Sequence, residues 1–146
     1  MKLSEIQSEW EIDSKIDSLN LDGESLKVSR YHAKYLNLLS NSKLQLRKAE
    51  SDYLRLHRNK ARYYKGEMSK EELEELEWTQ YLGPKLLKSD VGNMIETDDE
   101  VIRVLDKIEY YKTVVFQLEQ ILKSLASRSF DIRNSIEWLK YTNGSL

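Results

Sequence analysis

The chain has no cysteine among its 146 residues. Disulfides, thiolate metal ligands and cysteine nucleophiles are therefore excluded, and a reducing cytoplasm suits it. Proline occurs once and glycine five times. With so few breakers, and with Leu, Ile, Glu and Lys abundant, the composition fits long helices in a single all-α domain. The two histidines, His32 and His57, are far apart, and His57 sits among cations that disfavour a metal. No GxxxxGK[ST] or GxGxxG run is present, so the common glycine-rich phosphate loops are excluded. Serine and threonine are plentiful, but none has a paired histidine. The acids at 71, 72, 74, 75 and 77 and at 98–100 read as helix caps and solvated faces before metal ligands. No stretch approaches the ~20 apolar residues of a membrane span. The opening MKLSEIQSEWEID places acids where a leader needs an apolar run. The expectation is a binding protein, not an enzyme, with no cofactor, metal or membrane.

Charge is present in quantity but unevenly placed. Residues 1–25 carry two Lys and seven acids, net −5. Residues 26–65 carry eleven Lys and Arg against two acids, net +9. Residues 66–100 carry three Lys and eleven acids, net −8, and residues 101–146 are +2. A basic block between acidic ones points to a polyanionic partner.

Helical spacing of Leu3, Ile6 and Trp10 predicts a first helix, which Ile12, Ile16 and Leu19 extend less regularly. LNLDGES (19–25) reads as a break, with Asp22 as a candidate cap. From Leu26 to Lys65 there is no Gly or Pro, which predicts one helix of about 40 residues, weakest at LSNSK (39–43) and ended by Gly66. Ser69 and Glu72 form a capping box that opens an acidic helix over 69–82, stopped by Gly83-Pro84. Residues 85–96 read as a connector. Thr97 and Glu100 form a second capping box.

The clearest periodicity follows. Val101, Val104, Ile108, Tyr111, Val115, Leu118, Leu122 and Leu125 alternate steps of three and four, and Ile132, Ile136 and Leu139 continue the register. Ile102, Leu105, Val114, Ile121 and Ala126 widen the stripe, so a helix over 98–141 needs more neighbours than one partner helix supplies. The expected architecture is all-α, with long helices and a C-terminal heptad helix forming an oligomeric bundle or ring. Residues 1–96 form an N-terminal helical region and residues 97–146 an oligomerisation helix.

Within the basic block, RLHRNKARYYKG (55–66) gathers five Lys and Arg, a histidine and two tyrosines. At 100° per residue, Arg47, Lys48, Arg55, Arg58, Arg62 and Lys65 share about a third of the helix circumference. Tyr53, Lys60 and Tyr64 fall on the far side, with Tyr63 between. A cationic strip beside aromatic rings suits single-stranded nucleic acid, whose phosphates follow the strip and whose bases have faces for Tyr63 and Tyr64. No set of Asn, Gln and Arg is arranged as a recognition helix for base edges. The competing reading is an all-helical structural or scaffold protein with no nucleic-acid role, its tyrosines packed in the core.

Together these residues resemble the UvsY family of recombination mediators of T-even-type phages. The resemblance begins with Leu3, Gln7, Glu9, Asp13 and Ile16-Asp17-Ser18. It continues through SRYHAKYLN (29–37) and Tyr63-Tyr64-Lys65-Gly66, and resumes at SRSF (127–130). In the family a basic–x–basic pair ahead of the Tyr-Tyr-x-Gly ending serves DNA binding. Arg58 and Lys60 occupy those places, with Lys and Arg exchanged, and the chain is longer between Gly66 and Thr97. The resemblance implies a ring-like homo-oligomer of roughly six or seven subunits, built through C-terminal helices. It implies three partners in the cytoplasm of an infected bacterium: single-stranded DNA, the phage single-stranded-DNA-binding protein and a RecA-like recombinase. It implies that the mediator weakens the binding protein's hold and helps the recombinase nucleate, without hydrolysing ATP.

Overall fold

The computed structural model describes residues 1–144 and contains, among them, five helices and no strand. They are α1 (Leu3–Asp13), α2 (Leu21–Tyr64), α3 (Lys70–Leu76), α4 (Lys88–Glu96) and α5 (Asp99–Thr142). Two compact units are present: Met1–Leu44 with Lys112–Leu146, and Gln45–Tyr111. No helix among the described residues is long and apolar enough to cross a membrane.

In the first unit the apolar stripes meet. Ile6 of α1, Tyr35 and Leu39 of α2, and Val114, Leu118, Ile121 and Leu125 of α5 form one core. Trp10 packs edge-on against Tyr35, ring centroids 5.6 Å apart. Polar contacts fix α1 in place. Lys34 Nζ pairs with Glu9 and Asp13, each at 2.7 Å, and the Tyr35 hydroxyl donates to Asp13 at 2.8 Å. Arg128 is buried and donates to the carbonyls of Asp13 (2.6 Å) and Lys15 (3.0 Å) and to the Glu24 carboxylate (3.1 Å). It thus satisfies backbone acceptors that the end of α1 leaves free. Ile12 lies within α1 but on its exposed side, and the chain leaves α1 at Ser14, so Ile16 and Leu19 continue no buried stripe and are exposed too. α2 starts earlier than expected, with Asp22 and Gly23 inside its first turn. It runs without interruption through residues 39–43.

In the second unit, Val91, Ile95 and Val101 form a smaller core with Tyr53, Leu56, Ala61, Tyr64 and Leu86. The expected connector at 85–96 thus contains α4, which buries Val91 and Ile95 at helical spacing. α2 ends in a Schellman motif. Glu67 N–H donates to the Arg62 carbonyl (3.0 Å), Gly66 N–H donates to the Tyr63 carbonyl (3.1 Å), and Gly66 has φ +74°. The Ser69–Glu72 capping box forms. α3 then stops at Leu76, short of residue 82, because Glu77 turns left-handed at φ 58° and its neighbour Trp78 N–H donates to Leu73 O (2.9 Å). The cap of α5 is also reassigned. Asp98, not Thr97, accepts from the N–H groups of Glu100 (2.9 Å) and Val101 (3.2 Å). Thr97 instead donates its hydroxyl back to Asn93 O at 2.9 Å.

Burial changes the role of the heptad residues. Val101, Ile108, Leu118, Leu125 and Ile132 are buried within one chain, and Val104, Tyr111, Val115, Leu122 and Ile136 are half-buried. Leu118 and Leu125 belong to the first unit's core and Val101 to the second's, while Ile108 and Ile132 are buried outside both clusters. α5 instead exposes Phe116, Phe130, Trp138, Leu139 and Tyr141.

Candidate nucleic-acid interface

The second half of α2 displays the cations that helical geometry groups together. Arg47, Lys48, Arg55, Arg58 and Lys65 are exposed. Two of them make loose contacts along the helix, Arg47 with Glu50 at 3.9 Å and Arg55 with Asp52 at 3.4 Å. Such solvated pairs are worth little and exchange readily for another anion. The strip therefore holds five accessible cationic side chains over about five turns.

Lys60 and Arg62 are placed differently. Lys60 is 5% exposed. Its Nζ lies 3.1 Å from Asp98 and 3.5 Å from Glu100, and 4.0 Å from the Trp78 ring centroid. This agrees with the helical angle, which puts Lys60 beside Tyr53 and Tyr64. It departs from the family pattern, which marks Lys60 for DNA: the ammonium is sealed among two carboxylates and an aromatic face. Arg62 lies on the strip but is half-buried, with Nη2 donating to both oxygens of Glu72 at 2.9 and 3.0 Å.

The tyrosines form part of a ring cluster. Tyr63 meets Tyr64 at 5.1 Å and Trp78 at 5.4 Å, both edge-on, and Tyr64 meets Tyr81 edge-on at 5.3 Å. Their hydroxyls are also engaged, Tyr63 with Thr79 O (2.6 Å) and Tyr64 with Asp98 Oδ2 (2.7 Å). Both side chains brace the fold around the strip. Burial and the Asp98 carboxylate push the Tyr64 hydroxyl pKa well up.

Asp98 is the centre of this arrangement; its place among the acids at 98–100 marks it as a helix cap, but local sequence carries no signal of its contacts with Lys60 and Tyr64. It caps α5, accepts from Tyr64 and faces Lys60. Burial pushes its carboxyl pKa up, but the Tyr64, Lys60 and Val101 hydrogen bonds outweigh burial and hold it below the usual carboxylate value. A depressed pKa stabilises the fold above the unfolded-state value and loses that contribution as pH falls through the folded one. Acid weakening of this unit is therefore expected below about pH 4. Thermal melts between pH 7 and pH 2 should show a shallower acid limb in Asp98→Asn than in the parent.

Among the described residues no group of three or more His, Asp or Glu is placed to hold a metal ion. Residues 9–145 match the family described as "Recombination, repair and ssDNA binding protein UvsY". The chain belongs to the UvsY family. Crystal structures of the bacteriophage T4 recombination mediator protein UvsY share its fold. One lattice form superposes with a TM-score of 0.83 at 22% identity, covering 98% of each chain. Another gives 0.81 at 20% identity, covering 97% of this chain and 99% of the T4 protein. No curated protein matches the chain. The matched span takes in Tyr63-Tyr64-Lys65-Gly66 and SRSF (127–130), where Arg128 fastens the end of α1.

Proposed function

We propose that this UvsY-family chain is a phage recombination mediator that binds single-stranded DNA along the α2 strip. The observation that carries the reading is the row of exposed cations at Arg47, Lys48, Arg55, Arg58 and Lys65, in a chain whose family is one of single-stranded-DNA-binding proteins. Its contribution is binding and presentation of the strand, without catalysis. Copies assemble as a ring-like homo-oligomer, with residues 97–146 as the assembling segment. The exposed Phe116, Phe130 and Trp138 are the apolar surface available for that contact. Repetition of a modest strip around the ring raises affinity through effective concentration. A strand wrapped over successive strips loosens its hold on the phage single-stranded-DNA-binding protein and is offered to a RecA-like recombinase in the host cytoplasm.

The strip is tested with Arg58→Ala combined with Lys65→Ala, both at exposed positions. Fluorescence polarisation of labelled oligo-dT across salt concentrations should show weaker binding. The log–log salt slope should be shallower by about 1.4 per subunit engaged, since each lost single-strand phosphate contact removes about 0.7. Light scattering should show an unchanged assembly. Absence of strand binding by the parent protein at low salt would instead favour the helical-scaffold reading.

A further inference from the structure

Arg47 and Arg55 make only loose contacts within α2, whereas a third strip cation, Arg62, is closely held by an acid from outside that helix. Arg62 lies one turn from both Arg58 and Lys65, and its Nη2 holds both oxygens of Glu72. To a guanidinium, a carboxylate and a phosphodiester are alike: each presents two neighbouring anionic oxygens. We propose that Arg62 is a phosphodiester site of the strand-binding face which Glu72 fills in the unbound protein, so that a bound strand must displace this carboxylate. The proposal rests on the strand-binding reading above and adds an internal competitor to it.

Three features fit a competitor better than a permanent brace. First, the pair is reachable, with side-chain exposures of 39% for Arg62 and 38% for Glu72. Lys60, whose side chain is 6% exposed against Asp98, offers no such exchange. Second, Glu72 is held in position independently of Arg62. Its Oε2 accepts from Ser69 N–H at 3.2 Å, and its own N–H donates to Ser69 Oγ at 3.2 Å. The carboxylate therefore stays placed when the guanidinium swings away. Third, α3 buries none of its seven residues. Residues 67–77 carry six acids and one lysine, so this segment lays negative charge alongside the strip without being locked into a core. Of those acids, Glu72 alone is shown on a strip cation.

The experiment is a double-mutant cycle read by oligo-dT polarisation against salt, with parent, Glu72→Gln, Arg62→Ala and the double variant. Glutamine at this position still serves the capping box, so α3 is retained, and circular dichroism checks it. Glu72→Gln is expected to tighten binding about two- to fivefold at low salt, the range of an exposed ion pair. It should also steepen the salt slope by about 0.7, one added phosphate contact. Both gains should vanish in the Arg62→Ala background, and Glu74→Gln, an exposed acid on the same helix, should give neither. A Glu72→Gln variant with parental affinity and slope overturns the proposal. So does an equal gain with and without Arg62, which is what repulsion by net charge alone produces. Arg58→Ala with Lys65→Ala separates the two levels. Parental binding by that variant defeats the strand-binding strip itself. Weakened binding by it, with Glu72→Gln unchanged, defeats only the competitor.

Discussion

Leu118→Asp is expected to abolish cooperative folding of the unit formed by Met1–Leu44 and Lys112–Leu146. Leu118 is 0% exposed and belongs to the core with Ile6, Tyr35, Leu39, Val114, Ile121 and Leu125. Truncating such a leucine costs roughly 3–5 kcal/mol, and an unpaired carboxylate in its place adds several more. A domain has only about 5–15 kcal/mol in hand. The heptad register alone makes Leu118 a seam residue between copies, whose replacement dissociates a ring of folded subunits. Burial within one chain gives the other outcome. Circular dichroism should show lost helicity or no cooperative melt. By contrast Phe116→Asp, at a side chain 61% exposed, should keep a parental melt while lowering the mass seen by light scattering. A folded, dissociated Leu118→Asp would return that residue to the interface.

The difference between these two phenylalanine and leucine positions shows where local pattern stops being informative. The long helices were legible because residues 26–65 contain no breaker and 101–125 keep an unbroken three–four alternation. Which apolar face meets its own chain was not legible, because a stripe of that width serves an internal core and an external contact equally well. α4 was hidden because its amphipathic signal is two residues, Val91 and Ile95, around Gly92. α3 looked longer because Trp78, Thr79 and Gln80 are compatible with helix. Tertiary contacts decide otherwise: Trp78 covers Lys60, and Thr79 O accepts from Tyr63. The strip itself could be read from a helical wheel, since 100° per residue separates the exposed Arg47, Lys48, Arg55, Arg58 and Lys65 from the buried Lys60, though not the half-buried Arg62 from its neighbours. The acids that receive Lys60 and Arg62 could not, because Asp98 lies 38 residues beyond Lys60 and Glu72 lies across a chain reversal at Gly66.

Lys60→Ala is expected to lower stability by about 3–5 kcal/mol, the cost of removing one partner from a buried ion pair. Its side chain and that of Asp98 are 6% and 7% exposed. Loss of the ammonium leaves the buried Asp98 carboxylate with the Tyr64 hydroxyl and the N–H groups at the start of α5 to stabilise its charge. Arg58→Ala, at an exposed position, should change the melt by no more than ~0.5 kcal/mol. Weak strand binding by Lys60→Ala alone therefore does not identify a phosphate contact. Combining Lys60→Met with Asp98→Asn removes both charges while keeping bulk at residue 60 and an amide oxygen for the α5 cap. The double variant should recover most of the lost stability. If it also binds oligo-dT with parental affinity and salt slope, Lys60 serves the strand only by holding α2 against Asp98. A folded double variant with a slope shallower by about 0.7 would instead show that Lys60 leaves its pocket to meet a phosphate. That result would place Lys60 beside Arg62 as a second cation released from an internal carboxylate when the strand arrives.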